Sequence, residues 1–218
     1  YDVCVYGGTS SGVITAYAVA KQGKSVVLIE PGFRLGGISS GGLGQTDIGN
    51  KQVVKGLSLD FYRRAGAHYN SLENWIFEPK VAEQIFKDYI KRGQVDVMYG
   101  HRILSVQKQG QTIKQIRLEN REKMWGRSQV SAKVFIDCTG DADLIAFAGG
   151  EFEMGDEEGG VQAVTLCFLL TGIEGLPFDF NTRIDLGREH PTYSWVAPGT
   201  YCINGGHIYM KDPLDPAE

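Results

Sequence analysis

The 218 residues hold 22 Lys and Arg against 26 Asp and Glu, a net charge of −4, with 42% hydrophobic residues, which allows one large domain burying roughly 70% of its unfolded surface. No basic block or stripe is present, which argues against a nucleic-acid partner. No apolar run approaches the ~20 residues of a bilayer span and no signal-peptide pattern opens the chain, so the sequence predicts a soluble protein. Tyr1 begins directly on a strand, as after removal of a leader or tag, and the compartment is not readable. Glycine, at 29 residues, is about 13% of the chain against a usual ~7% and punctuates folded structure. The four cysteines, Cys4, Cys138, Cys167 and Cys202, form no C-x-x-C pair. Cys4 and Cys167 fall in apolar runs that suit a small buried hydrophobe, and neither a zinc site nor a disulfide framework is expected.

Residues 2–6 (DVCVY) read as a buried strand stopped by Gly7 and Gly8. A helix follows from Ser10, with Val13, Ile14, Ala16, Tyr17, Val19 and Ala20 at helical spacing and Gly23 as its stop. Residues 25–29 (SVVLI) form a second buried strand ending at Glu30. Strand, glycine turn, helix and strand make a βαβ unit with parallel strands.

The turn Gly7-Gly8-Thr9-Ser10-Ser11-Gly12 matches two of the three glycines of the dinucleotide pattern G-x-G-x-x-G. Gly7 permits the tight turn and Gly12 lets the helix pack close to the sheet. Thr9 stands where a missing side chain normally lets backbone approach a pyrophosphate. The helix start supplies unpaired N–H groups and a positive dipole end, and Ser10 and Ser11 add hydroxyls for an anion. Glu30 follows Gly12 by 18 residues, near the ~20 at which an acid accepts hydrogen bonds from a ribose and repels a 2′-phosphate.

Residues 31–50 carry seven glycines and almost no periodic pattern, and a loop of that length is usually functional. Leu35, Ile38, Leu43 and Ile48 point to its partial burial. Helices are predicted over 53–68 and 79–92, the second with Pro79 in its first turn, a stripe of Val81, Ile85, Phe86, Tyr89 and Ile90, and a stop at Gly93. Residues 95–99 are strand-sized. Residues 103–106, 112–118 and 130–136 predict a three-stranded antiparallel meander, turning at Gln109-Gly110 and over 120–127. The last strand runs into DCTGDAD, a short helix over 144–148 and Gly149-Gly150. In the remainder, 163–170 and 201–210 are strand-like, separated by Pro177, Pro191 and Pro198, and the acidic stretch 151–158 reads as a hinge between domains.

Three stretches, DVCVYGGTSSGVITAYAVAKQGKSVVLIEP, LGGISSGGLGQTD and FIDCTGDADLIAFAG, together resemble the FAD-dependent oxidoreductase family of the glutathione-reductase-like fold. The resemblance implies an α/β, Rossmann-like FAD-binding domain over residues 1–150, with a parallel sheet and an antiparallel meander. Residues 151–218 would be a linker and the start of a β-rich substrate domain. Carried over by position, Gly7, Ser10, Ser11 and Gly12 would hold the pyrophosphate and Glu30 the adenosine ribose. Gly36, Gly37, Ser40 and Gly42 would lie along the pyrophosphate, ribityl and flavin side. Ile103 would offer backbone to adenine, and Thr139, Gly140 and Asp141 would close over the adenosine half.

The family's last flavin-binding segment has no counterpart over 150–218, so the chain reads as a fragment that binds FAD weakly or not at all by itself. A small-molecule substrate is the expected partner, and the oligomeric state is unread. His190, His207, Arg183, Arg188 and Tyr209 are candidates for substrate binding or proton transfer, but no spacing ties them, or His68 and His101, together. No catalytic residue is assigned, and no metal-ligand cluster, acyl-transfer elbow or nucleotide-hydrolysis loop is present. Alternative readings are an NAD-dependent dehydrogenase on the same βαβ unit, a polysaccharide-acting or sugar-binding protein, since some relatives carry a xanthan-lyase label, and a non-catalytic remnant.

Overall fold

The computed structural model describes residues 1–46, 48–123, 126–153, 155, 164–172, 192–197 and 199–208. Strand β1 (Val3–Tyr6) leads through the glycine turn into helix α1 (Ser10–Lys21), and β2 (Val26–Glu30) returns parallel to β1 in the register Val3 to Val26 through Tyr6 to Ile29. Gly23 ends the helix at φ +71°, its N–H donating to the Ala20 carbonyl. The loop that follows contains one short helical turn, α2 (Ile38–Gly41). Leu35 is fully buried there, Leu43 and Ile48 are half-buried, and Ile38 is 71% exposed, contrary to its expected burial.

Helix α3 (Gly56–His68) begins three residues later than the apolar pattern predicts. Residues 51–53 form a separate 3-10 turn in which the Asn50 carboxamide oxygen accepts from the Gln52 N–H at 3.0 Å. Gly56, at φ +61°, then breaks the helical path. Helix α4 (Pro79–Gly93) buries the predicted stripe of Val81, Ile85, Phe86 and Tyr89, with Ile90 at its margin. Each fully buried large side chain contributes about 1.5–3 kcal/mol. Its left-handed stop is Gln94, at φ +51°, rather than Gly93, which remains helical and packs closely on Tyr17 and Val95.

Strand β3 (Asp96–Tyr99) lies beside β2, and the chain then forms β4 (His101–Gln109), β5 (Thr112–Asn120), β6 (Gly126–Ser131) and β7 (Val134–Asp137). The single strand expected over 130–136 is two strands in two sheets. β6 completes the antiparallel meander β4-β5-β6, and β7 joins the parallel sheet β3-β2-β1-β7. The break falls at Ala132-Lys133, where the Lys133 and Val134 N–H groups donate to the Tyr1 and Asp2 carbonyls and the Lys133 ammonium pairs with Asp2 at 2.7 Å. In sequence the apolar positions Val130, Ala132, Val134 and Ile136 alternate through both pieces, so the pattern does not register the change of partner.

The parallel sheet is covered on both faces, which explains the continuous apolar runs of its central strands. Val5 and Leu28 face α1, α3 and α4, whereas Cys4, Tyr6, Val27 and Ile29 face Ile103, Ile116, Leu118 and Val130 of the meander. Helix α5 (Asp143–Phe147) follows β7. Beyond it, β8 (Val164–Thr171), β9 (Thr192–Ala197) and β10 (Thr200–Ile208) form an antiparallel sheet in the order β8-β10-β9, of which β9 was not foreseen. No helix among the described residues is long and apolar enough to cross a membrane.

Candidate functional site

Parallel strands ending side by side bring their following turns together at one edge of the sheet. Here three segments meet beyond the ends of β1, β2 and β7: residues 7–12, 30–37 and 138–140. Gly7, at φ +102°, donates its N–H to the Ile29 carbonyl at 2.8 Å. A Cβ on Gly7 would stand 2.7 Å from the Cys138 carbonyl carbon and the Thr139 nitrogen, so the first and third turns touch backbone to backbone. A Cβ on Gly12 would overlap the Gly7 carbonyl oxygen, which is the close helix-to-strand approach that this glycine permits. Gly36, at φ +105°, donates to the Gly8 carbonyl at 2.7 Å, and a side chain there would run into the Phe86 ring. Gly37 lies against Thr9, 3.3 Å from where its own Cβ would be.

Glu30 is turned back onto the first turn. Its Oε2 accepts from the Gly8 N–H at 2.7 Å and its Oε1 from the Gly32 N–H at 2.6 Å, fixing an acid beside the mouth of α1. Thr9 caps that helix. Its hydroxyl donates to the Cys138 carbonyl at 2.7 Å, accepts from the Gly12 N–H at 3.2 Å and lies 2.9 Å from the Ser11 hydroxyl. The side chain expected to intrude on a pyrophosphate is therefore bonded to the neighbouring turn. The 12-residue α1 carries no acidic residue in its first turn, leaving the positive end of its dipole uncompensated by a helix carboxylate.

The third turn is organised by Asp137. One carboxylate oxygen accepts from the Thr139 N–H and hydroxyl at 2.9 and 2.7 Å, and the other accepts from the Ile145 N–H at 3.0 Å. The Thr139 hydroxyl in turn accepts from the Asp143 N–H at 2.9 Å. Burial, with the Asp141 and Asp137 carboxylates nearby, pushes the Asp143 carboxyl above its ordinary value. Beneath the sheet edge, burial pushes the Tyr6 hydroxyl up to about 12, partly offset by the Ile103 N–H that it accepts at 2.9 Å.

Gly7, Ser10, Ser11, Gly12, Glu30, Gly36, Gly37 and Thr139 thus gather at one place, with Gly140 and Asp141 exposed at its rim. Ser40 is 2% exposed, and its hydroxyl donates inward to the Leu35 carbonyl. Gly42, at φ +136°, backs onto Cys167 of β8, 3.1 Å from where its Cβ would lie. Ile103 is buried under the meander with its N–H committed to Tyr6. A cavity of about 350 Å³ opens beside the mouth of α1, lined by Ser10, Ser11, Thr15, Ser39 and Ser58 over the Phe61 and Phe86 rings. Sequence reasoning missed Ser39 and Ser58, whose hydroxyls carry no motif, and the bonds that make Thr9 a brace. His190, Arg183, Arg188 and Tyr209 lie outside the described residues, as do the His207 side chain and half of the acidic stretch.

The arrangement brings the mouth of α1 with its serine hydroxyls, small residues and a fixed acid to one edge of the sheet, a setting suited to a diphosphate with a ribose beyond it. No curated protein matches the sequence. Among solved structures, CabE, an aromatic hydroxylase from angucycline biosynthesis, superposes with a TM-score of 0.62 at 14% identity, covering 94% of this chain and 43% of CabE. The myxobacterial chondrochloren halogenase CndH gives 0.61 at 16% identity, covering 94% and 52%. L-proline dehydrogenase from P. horikoshii gives 0.60 at 12% identity, covering 95% and 70%. The chain spans about half the length of the first two proteins, and likeness at these identities establishes the fold. The family model for FAD dependent oxidoreductase matches residues 2–208, through all three converging turns and into the second antiparallel sheet, and the chain belongs to that family.

Proposed function

We propose that the protein is an oxidoreductase that holds FAD across the three converging turns and uses it for hydride or electron transfer with a small-molecule substrate. The observation that carries this reading is Glu30, whose carboxylate is kept beside the helix mouth by the Gly8 and Gly32 N–H groups. In this reading Ser10 and Ser11 at the mouth of α1 hold the pyrophosphate, Gly7 and Gly12 give it the tight turn and the close helix approach, and Glu30 accepts from the adenosine ribose, disfavouring a 2′-phosphorylated nucleotide. Gly36, Gly37, Ser40 and Gly42 form the wall along the ribityl and flavin side. Ile103, its N–H held by Tyr6, lies on the adenine side, and Thr139, Gly140 and Asp141 close over the adenosine half. When bound, the flavin supplies the redox chemistry, and the chain orients it and shields it from water. Residues 1–150 form the nucleotide-binding part and 151–218 begin the substrate side. The hydroxylase, halogenase and dehydrogenase named above act differently, so the reading takes the cofactor from the family and leaves the substrate open.

The test is the visible spectrum of the full-length protein as purified and after reconstitution with FAD. Flavin bands and saturable binding support the reading; absence of both overturns it. Tight NAD binding without FAD binding would replace it with a dehydrogenase, and unsaturated uronate formed from polysaccharide would replace it with a lyase. A bound flavin that no donor reduces would leave a non-catalytic remnant.

A further inference from the structure

A threonine hydroxyl has one proton to donate and two lone pairs to accept with. At Thr9 all three are engaged. The Cys138 carbonyl can only accept, so the Thr9 proton goes there; the Gly12 N–H occupies one lone pair, and Ser11 is consequently the donor to the other. Two groups that the motif would aim at an anion, the Ser11 O–H and the Gly12 N–H, are thereby turned onto Thr9. The Ser10 hydroxyl and the Ser11 N–H have no hydrogen bond to any described residue and remain free. The Thr9 backbone also bridges to Gly36, so one residue joins all three turns.

We propose that Thr9 is the positioning residue that sets where the diphosphate lies: its hydroxyl withdraws the Ser11 O–H and Gly12 N–H from the anion and leaves recognition to the Ser10 hydroxyl and the Ser11 N–H. The inference rests on the FAD reading and adds a specific division of labour among neighbouring donors.

A double-mutant cycle on the full-length protein tests it, with FAD dissociation constants from flavin fluorescence quenching and melting temperatures without cofactor. Removing the Thr9 hydroxyl releases the Ser11 proton to the phosphate, so Ser11→Ala should weaken FAD binding at least fivefold more in a Thr9→Gly background than in the wild type. Thr9→Ser keeps the hydroxyl and should restore the wild-type response to Ser11→Ala. If Thr9→Gly does not fold, Thr9→Val removes the same hydroxyl with the branched shape retained and takes its place. Equal effects of Ser11→Ala in both backgrounds, or no restoration by Thr9→Ser, would overturn the proposal. A merely structural Thr9 would lower the melting temperature without changing that ratio. Failure of the wild type to bind FAD at all would instead strike the functional reading.

Discussion

The contact between the first and third turns makes Gly7→Ala a severe substitution even in the absence of any ligand. The new Cβ would stand 2.7 Å from two Cys138–Thr139 backbone atoms, about 0.7 Å inside ordinary van der Waals contact. Neither atom can swing aside as a side chain would. Relieving such an overlap costs about 1–3 kcal/mol, and holding a non-glycine residue at φ +102° adds about 1–2 kcal/mol. At ~2–4 °C per kcal/mol for a domain of this size, the melting temperature should fall by roughly 4–20 °C. Gly140→Ala is the matched control, since a Cβ there meets nothing within 4 Å. It should stay within about 0.5 kcal/mol of wild type. Differential scanning fluorimetry on both variants decides the matter, and a Gly7→Ala loss no larger than that of Gly140→Ala would refute the packing argument.

Glu30→Gln keeps the side-chain shape but sets an amide NH₂ against one of two backbone donors, so FAD binding in a fluorescence titration should weaken about tenfold or more. Ser10→Ala removes the free hydroxyl at the helix mouth and should weaken FAD about tenfold, with an unchanged cofactor-free melting temperature. Asp143 has a carboxyl pKa raised above its unfolded value, so the native state binds the extra proton and stability should fall as pH rises from the ordinary carboxyl range through that raised value. Asp143→Asn should flatten this slope in melting curves between pH 4 and 7, with its largest gain over wild type at the neutral end. Tyr89→Phe removes the hydroxyl that donates to Asp60 at 2.6 Å and should cost about 1 kcal/mol in urea unfolding.

The opening crossover and the α4 stripe were legible in the sequence because burial on a fixed period leaves a direct trace in residue order. The split between β6 and β7 was not, because Val130 and Ile136 keep one alternation while the sheet beneath them changes. Helix α3 was extended too far toward the N-terminus because Val53 looks apolar in sequence yet stands 71% exposed, outside a helix that Gly56 delays. Within the candidate site, the glycines and Glu30 were legible as a spaced pattern. The Tyr6 bond to Ile103 and the saturation of Thr9 depend on residues 97 and 129 positions away, which no local spacing encodes, and the inward turn of Ser40 onto Leu35 leaves no apolar or charge pattern to read.

The pairing of β1 with β7 has a consequence for biosynthesis. Val3 pairs with Val26 on one flank and Val134 on the other, so the second flank of β1 stays bare until residue 134 has been made. At ~5–20 residues per second, that bare flank persists for roughly 7–26 s while the intervening chain is made. Throughout that interval the Thr9 hydroxyl has no Cys138 carbonyl to meet and the three-turn site lacks its third wall. On the proposed reading cofactor capture is therefore a late event in the life of the nascent chain, and translation arrested before residue 134 should yield a polypeptide that is helical yet unable to take up a dinucleotide.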